Sequence, residues 1–206
     1  MFKPDKYNDN DIIISVGCFS KETLAAWQTH TRCLIIDFEP TPELFEPKKA
    51  LEANNGKLMG RLECHPEAVD SFIGKTALYY YRSGQIGNTI TPVWQSHVTL
   101  SEYFDKKVEV NVVSMESVLQ RFEEVKELWL NCEGSEIPIL ANTPLPLLAR
   151  CEYISVEFHR FSSFLRITNG QVLACVERLK EHFNPVCGED YHPYYEFFRK
   201  RGNRNG

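Results

Sequence analysis

Apolar runs of strand length alternate along this chain with stretches whose apolar residues recur at helical spacing. Ile12-Ile13-Ile14 leads into Ser15-Val16-Gly17, and Glu22 to Trp27 continues in a helical pattern. Cys33 to Phe38 is a second apolar run. From Glu43 to Asn54, Leu, Phe and Ala are spaced among charges as on a helix, and Asn54-Asn55-Gly56 closes it. Lys57 to Cys64 reads as a third strand. This β-α-β-α-β order predicts an α/β fold with a parallel sheet and helices on both faces.

The middle of the chain breaks the rhythm. Ala77 to Tyr81 is a strand, a polar loop runs from Arg82 to Gln95, and a second extended piece spans Val108 to Val113. This predicts an excursion at about 76–113, with the sheet resuming afterwards. Glu116 to Phe122 reads as a short helix, Leu128 to Cys132 and Ile154 to Phe158 as two further core strands. Asn169 to Phe183 carries Val172, Leu173, Val176, Leu179 and Phe183 on one helical face. The aromatic run Tyr191 to Phe198 reads as a last strand, antiparallel at the sheet's edge.

With 206 residues, 43% of them hydrophobic, the chain suits one domain over residues 1–206. A net charge of −5 gives no electrostatic case for nucleic acid or an anionic membrane. The basic cluster at Arg199-Lys200-Arg201 and Arg204 reads as a solvated tail. No window nears the ~20 apolar residues of a membrane span, and MFKPDKYNDND lacks a leader's apolar core. Seven cysteines, an odd number with no C-x-x-C, support neither a disulfide framework nor a zinc knuckle. A reducing, cytoplasmic location is expected, with no metal.

The chemistry concentrates where strands end. In CLIIDFEPTPELF, Cys33 to Phe45, a buried strand delivers Asp37 and Glu39 to the sheet's C-terminal rim, where open α/β sheets bind ligands. A carboxylate there can accept both hydroxyl hydrogens of a ribose. Gly17 closes the first strand 22 positions before Glu39, close to the ~20 expected between such a turn and a ribose-binding acid. No G-x-G-x-x-G and no phosphate loop occur, so a nucleoside ligand without phosphates fits better than a dinucleotide or a nucleoside triphosphate. Asn131-Cys132-Glu133-Gly134-Ser135-Glu136 and Glu157-Phe158-His159 follow two later strands.

The ordered set of a strand ending in Gly17, then Phe38-Glu39-Pro40, then Glu133-Gly134-Ser135-Glu136, then Glu157 and His159 resembles the FkbM-type family of S-adenosylmethionine-dependent methyltransferases. Val69 to Gly74 and the strand from Ala77 resemble the family's segment after its third strand. The resemblance implies a Rossmann-like methyltransferase fold with a mostly parallel seven-stranded sheet, an antiparallel last strand, and S-adenosylmethionine as cofactor. It implies that Glu39, beside Pro40, binds the ribose. Ser15, Val16, Gly17 and Cys18 would flank the methionine end, with Ala68, Val69 and Asp70 near the adenine. Asn131, Glu133 and Glu136 would border the transfer site, facing Glu157 and His159. His159 is the first expected base and Glu133 the second.

Against the family pattern, Ser15 stands in place of an acid, Phe19 in place of Asn, Lys21 near where the family has a second Gly, and Trp129-Leu130-Asn131 in place of Lys-x-Asp. The expected reaction is methyl transfer to a hydroxyl of a sugar, glycan or small molecule. The Arg82–Thr99 loop, with Trp94 and His97, is expected to bind the acceptor. A non-catalytic interaction module on the same fold is the competing expectation, separated by whether Phe19 or Lys21 plugs the Gly17 rim. A nucleotide-dependent oxidoreductase ranks behind both.

Overall fold

In the computed structural model of the chain, residues 7–81, 88–90, 104–159, 167–187 and 194–200 are described. Among them, seven strands form the main sheet: β1 (Ile12–Val16), β2 (Leu34–Phe38), β3 (Arg61–His65), β7 (Val125–Leu130), β8 (Cys151–Glu157), β9 (Phe183–Cys187) and β10 (Tyr194–Arg199). Their spatial order is β3-β2-β1-β7-β8-β10-β9. The first five run parallel, and β10 is antiparallel to both neighbours. This is the expected mostly parallel sheet with an antiparallel last strand, but that strand lies between β8 and β9 and not at the expected edge, which β9 takes.

Alternation along each strand sorts its residues onto two faces. Ile13, Ile35 and Leu62 meet Leu24 and Trp27 of helix α1 (Lys21–His30), and Leu51 of a 3-10 turn. Ile14, Ile36, Leu128 and Ile154 meet the other helices: α3 (Met115–Gln120), α4 (Glu136–Asn142), α5 (Leu145–Leu148) and α6 (Asn169–Leu179). Burying one Leu or Ile side chain in such a layer contributes about 1.5–3 kcal/mol. The helices begin where the sequence supplies caps. Ser20 accepts from Thr23 N ahead of α1, and Thr168 and Gln171 form a capping box ahead of α6.

The expected Glu43–Asn54 helix is shorter. Helix α2 covers Pro42–Lys49 and tightens into the 3-10 turn at Ala50–Asn54, just after Pro47, which lacks a backbone donor. The expected helix to Phe183 stops at Leu179, and Phe183–Cys187 is an edge strand. Pro185 hides that strand from sequence reading, yet an edge is where a strand tolerates proline. The excursion begins before the expected 76–113: a second sheet, in the order β4-β6-β5, is built from β4 (Ala68–Asp70), β5 (Gly74–Tyr81) and β6 (Phe104–Ser114).

The chain leaves β1 toward β2 on one side and returns as β7 on the other. The connections leaving the C-terminal ends of β1 and β7 therefore part and leave a crevice above the paired strands, the position at which such sheets hold ligands.

Candidate active site

At that crevice Gly17 bends the chain with φ +70°, and its N–H donates to Phe38 O at 3.0 Å. Asn131 N donates to Val16 O at 3.0 Å, tying the ends of β1 and β7 together. A Cβ on Gly17 would stand 2.4 Å from Asn131 O, so only glycine fits both the angle and the space. A cavity of about 880 Å³ opens above this turn. It reaches Glu39 and Pro40 on one side, Ala68 and Val69 behind, and Asn131, Glu133, Glu157 and His159 on the other. Phe19 packs its ring against Trp27 and Trp129, with centroids 5.0 and 5.5 Å away, and both it and Lys21 line the cavity, which remains about 880 Å³ in volume. Cys18 and Cys132 also line the cavity, and burial pushes both thiols well up, so neither is a nucleophile at neutral pH.

Beneath the Glu39 end lies a buried ion cluster. Lys48, 3% exposed, reaches from α2 to donate to Glu39 Oε2 at 3.0 Å, and its ammonium lies 3.1 Å from Asp37 Oδ2. Thr41 N donates to Glu39 Oε1 at 3.0 Å, and Ser15 Oγ donates to Asp37 Oδ1 at 2.6 Å. Burial pushes the Asp37 carboxyl upward, against the pull of Lys48 and Ser15. Burial also weighs against charge on Lys48, but Asp37 and Glu39 outweigh it and hold the ammonium above its ordinary value. A carboxylate offers about four acceptor sites. Thr41 and Lys48 take two of those on Glu39, so a vicinal diol in the cavity still finds acceptors there.

At the opposite end a second cluster forms. Glu133 has φ +51°, a left-handed conformation rare outside glycine, and Gly134 follows at +113°. The Glu136 carboxylate, fully buried, accepts from Cys132 N at 2.8 Å and Gly134 N at 2.9 Å and so closes the turn into α4. His159 Nδ1 lies 2.8 Å from Glu136 Oε1, and its Nε2 lies 3.3 Å from Glu133 Oε1. Burial disfavours charge on this ring. Hydrogen bonds to Glu133 and Glu136, and their charges, override that and raise the imidazole from 6.5 to about 10. With both nitrogens committed to carboxylates, the ring is an imidazolium at neutral pH. That direction runs against the expected neutral His159 base, and both ring nitrogens face the carboxylates of Glu133 and Glu136.

The other expected residues divide between wall and support. Val16, Gly17, Cys18, Glu39, Pro40, Ala68, Val69, Asn131, Glu133, Glu157 and His159 all face the cavity. Ser15, Asp70 and Glu136 do not line it. Ser15 is consumed by Asp37, and Asp70 accepts from Ser135 Oγ at 2.8 Å and from Ser71. Glu136 holds the turn and His159. These three support the wall from behind. Glu157 accepts from Asn131 Nδ2 at 2.8 Å. Trp94 and His97 lie outside the described residues.

Several residues were missed. Lys48 is the chief one, and a signal existed: Leu44, Pro47 and Lys48 share one helix face and all line the cavity. Thr89 and Ile90 were missed too, and with Asn88, which belongs to the loop expected to bind the acceptor, they connect the excursion to the site. Thr89 Oγ1 donates to Glu133 O at 2.6 Å, and Asn88 Nδ2 donates to Thr41 Oγ1 at 3.3 Å. Among the described residues, no group of three or more His, Cys, Asp and Glu is arranged to hold a metal ion. Likewise, no described helix is long and apolar enough to cross a membrane.

The strand order, the crevice at the switch point and the acids at three strand ends define a methyltransferase-class α/β fold. The sequence pattern of the methyltransferase FkbM domain matches residues 13–204, and the chain belongs to that family. A methyltransferase FkbM from Methylobacillus flagellatus KT shares the fold with TM-score 0.53 at 11% identity, over 93% of this chain and 44% of its own. The chain thus spans less than half of that protein's length. A proposed rRNA methylase from Clostridium thermocellum matches with TM-score 0.50 at 10% identity, over 96% of this chain and 91% of its own. Identities this low speak for the fold alone. No curated protein matches the chain by sequence.

Proposed function

We propose that this chain is an S-adenosylmethionine-dependent methyltransferase that methylates a hydroxyl on a sugar, glycan or other small molecule. The observation that carries the reading is the open cavity running from Glu39, past the Gly17 turn, to Glu133. Glu39 has acceptor sites left for the ribose diol. The backbone of Val16, Gly17 and Cys18 offers a close approach for the methionine end, Pro40 flanks Glu39, and Ala68 and Val69 offer an apolar wall for the adenine. Bound there, the cofactor supplies an electrophilic methyl group on sulfur.

The chain's own residues then do three things. The Asn131–Glu157 hydrogen bond fixes the rim where β7 and β8 end. His159 holds the Glu133 carboxylate from one side while Thr89 holds its backbone from the other. Glu133 is the group placed to receive the acceptor's proton, with Glu157 across the rim. Positioning supplies much of the rate in a displacement of this kind. A cytoplasmic location belongs to the same reading, and Cys18, Cys33, Cys64, Cys132, Cys151 and Cys175 are free thiols. Trp94 and His97 complete the reading as acceptor contacts.

The test is methyl transfer from labelled cofactor to a panel of hydroxyl acceptors. Activity that falls at least tenfold in Glu133→Gln, with S-adenosylhomocysteine binding retained, supports the reading. Label transfer unchanged by Glu133→Gln removes the base role. The second reading, a non-catalytic module, draws on Ser15 in place of an acid and on Lys48 already engaging Glu39. The cavity that remains above Gly17, with Phe19 and Lys21 in its lining, weighs against it.

A further inference from the structure

We propose that Lys48 is a positioning residue of the ribose subsite: held between Asp37 and Glu39, its ammonium fixes the Glu39 carboxylate so that the remaining acceptor sites meet the ribose diol. This rests on the S-adenosylmethionine reading above and names a residue that reading does not need.

Asp37 and Glu39 are two positions apart at the end of one strand, so their side chains share a face. Asp37 is 0% and Glu39 6% exposed. Two buried carboxylates on one face repel each other unless a cation lies between them. Lys48 is that cation, 3.1 Å from one and 3.0 Å from the other. It has come from the following helix, where a lysine would ordinarily keep its charge in water. Its contact takes Glu39 Oε2 while Thr41 N takes Oε1. Both oxygens are thereby anchored, and a side chain with three free torsions is reduced to one arrangement at the cavity wall.

Ser15 belongs to the same unit. It pairs with Asp37 in the β1–β2 register and donates to it at 2.6 Å. An acid at position 15 would set a third carboxylate against a fully buried Asp37. Ser15 and Lys48 therefore act on one carboxylate: both hold Asp37, and Lys48 extends that hold to the ribose acid.

The experiment is calorimetric titration of S-adenosylhomocysteine and of its 2′-deoxyribose analogue. The proteins are the parent, Lys48→Met, and Lys48→Met combined with Asp37→Asn. The double variant removes the stranded charge and so keeps a folded protein in hand where the single variant fails to fold. The parent favours the ribose ligand about tenfold or more, the worth of a hydrogen bond to a charged group. Both variants lose most of that preference, while affinity for the deoxy ligand moves by less than about threefold. Variants that keep the parent's ratio, or that lose both ligands equally, overturn the proposal. A parent that binds neither ligand at millimolar concentration removes the cofactor reading and this inference with it. Failure confined to the variants' ratio leaves the cofactor reading standing.

Discussion

Each end of the cavity holds one cation between two carboxylates. Lys48 sits between Asp37 and Glu39, and His159 sits between Glu133 and Glu136. The two clusters differ in what they can do. Lys48 is 3% exposed, and its neighbours raise it further above an ordinary value already far from neutral pH. It is a fixed charge. The His159 side chain is 12% exposed, and the ring loses its proton near pH 10, so its charge is conditional. One cluster also contains a carboxylate whose partners all come from strand and helix. The other hangs on a turn with two consecutive left-handed residues, Glu133 and Gly134. The rigid cluster suits holding a ligand that stays the same from turnover to turnover. The clamped turn suits aiming a group at whatever acceptor arrives.

The largest effect that separates them is Lys48→Met. Removing one partner of a buried ion pair and stranding the other costs about 3–5 kcal/mol, so urea unfolding should show a loss of that size, partly restored by adding Asp37→Asn. Stability that changes by under about 1 kcal/mol would mean that the acids find water or protons without Lys48.

His159→Gln should cost less, about 1–3 kcal/mol, because a neutral donor keeps part of the hydrogen bonding. This loss should depend on pH, and its sign is fixed by the direction of the shift. The fold raises the imidazole from 6.5 to about 10, so it favours the protonated ring. The stabilisation is complete below about pH 6.5 and is lost as pH rises toward about 10. The gap between parent and His159→Gln should narrow over that window in pH-dependent urea melts, while the gap between parent and Lys48→Met stays level. Parallel narrowing of both gaps would erase the distinction between the two ends.

Ser15→Ala removes the hydroxyl that meets Asp37 at 2.6 Å and should cost about 1–2 kcal/mol by the same melts. The smallest effect expected is from Thr89→Val, about 1 kcal/mol, through loss of the 2.6 Å bond to the Glu133 carbonyl. It should lower methyl transfer more than it lowers cofactor affinity. A fall in cofactor affinity with unchanged transfer would place Thr89 at the wrong end.

Much of this architecture can be read in the chain because its signals are local. The runs Ile12–Val16 and Cys33–Phe38, and the Gly17 turn between them, fix strand, turn and rim without reference to anything distant. Glu39, Glu133 and His159 are found by the same logic, as polar residues directly following apolar strands. What the sequence hides depends on long-range pairing. Lys48 looks like a surface lysine because its partners lie nine and eleven residues back, across a turn. Glu136 looks like a helix-start acid and is one, but its other contact is with a ring 23 residues ahead. The protonation of His159 follows from two carboxylates converging on it, which no spacing announces. Phe183–Cys187 is concealed by Pro185, whose tolerance depends on the strand being at an edge.

The central claim is that the crevice above Gly17 is a cofactor site whose ribose acid is Glu39. Calorimetric titration of S-adenosylhomocysteine into the parent and Glu39→Ala tests it most directly. Saturable binding to the parent, weakened about tenfold to a hundredfold in Glu39→Ala, is the expected result. No binding to the parent at millimolar ligand, or equal affinity in the two proteins, would contradict it.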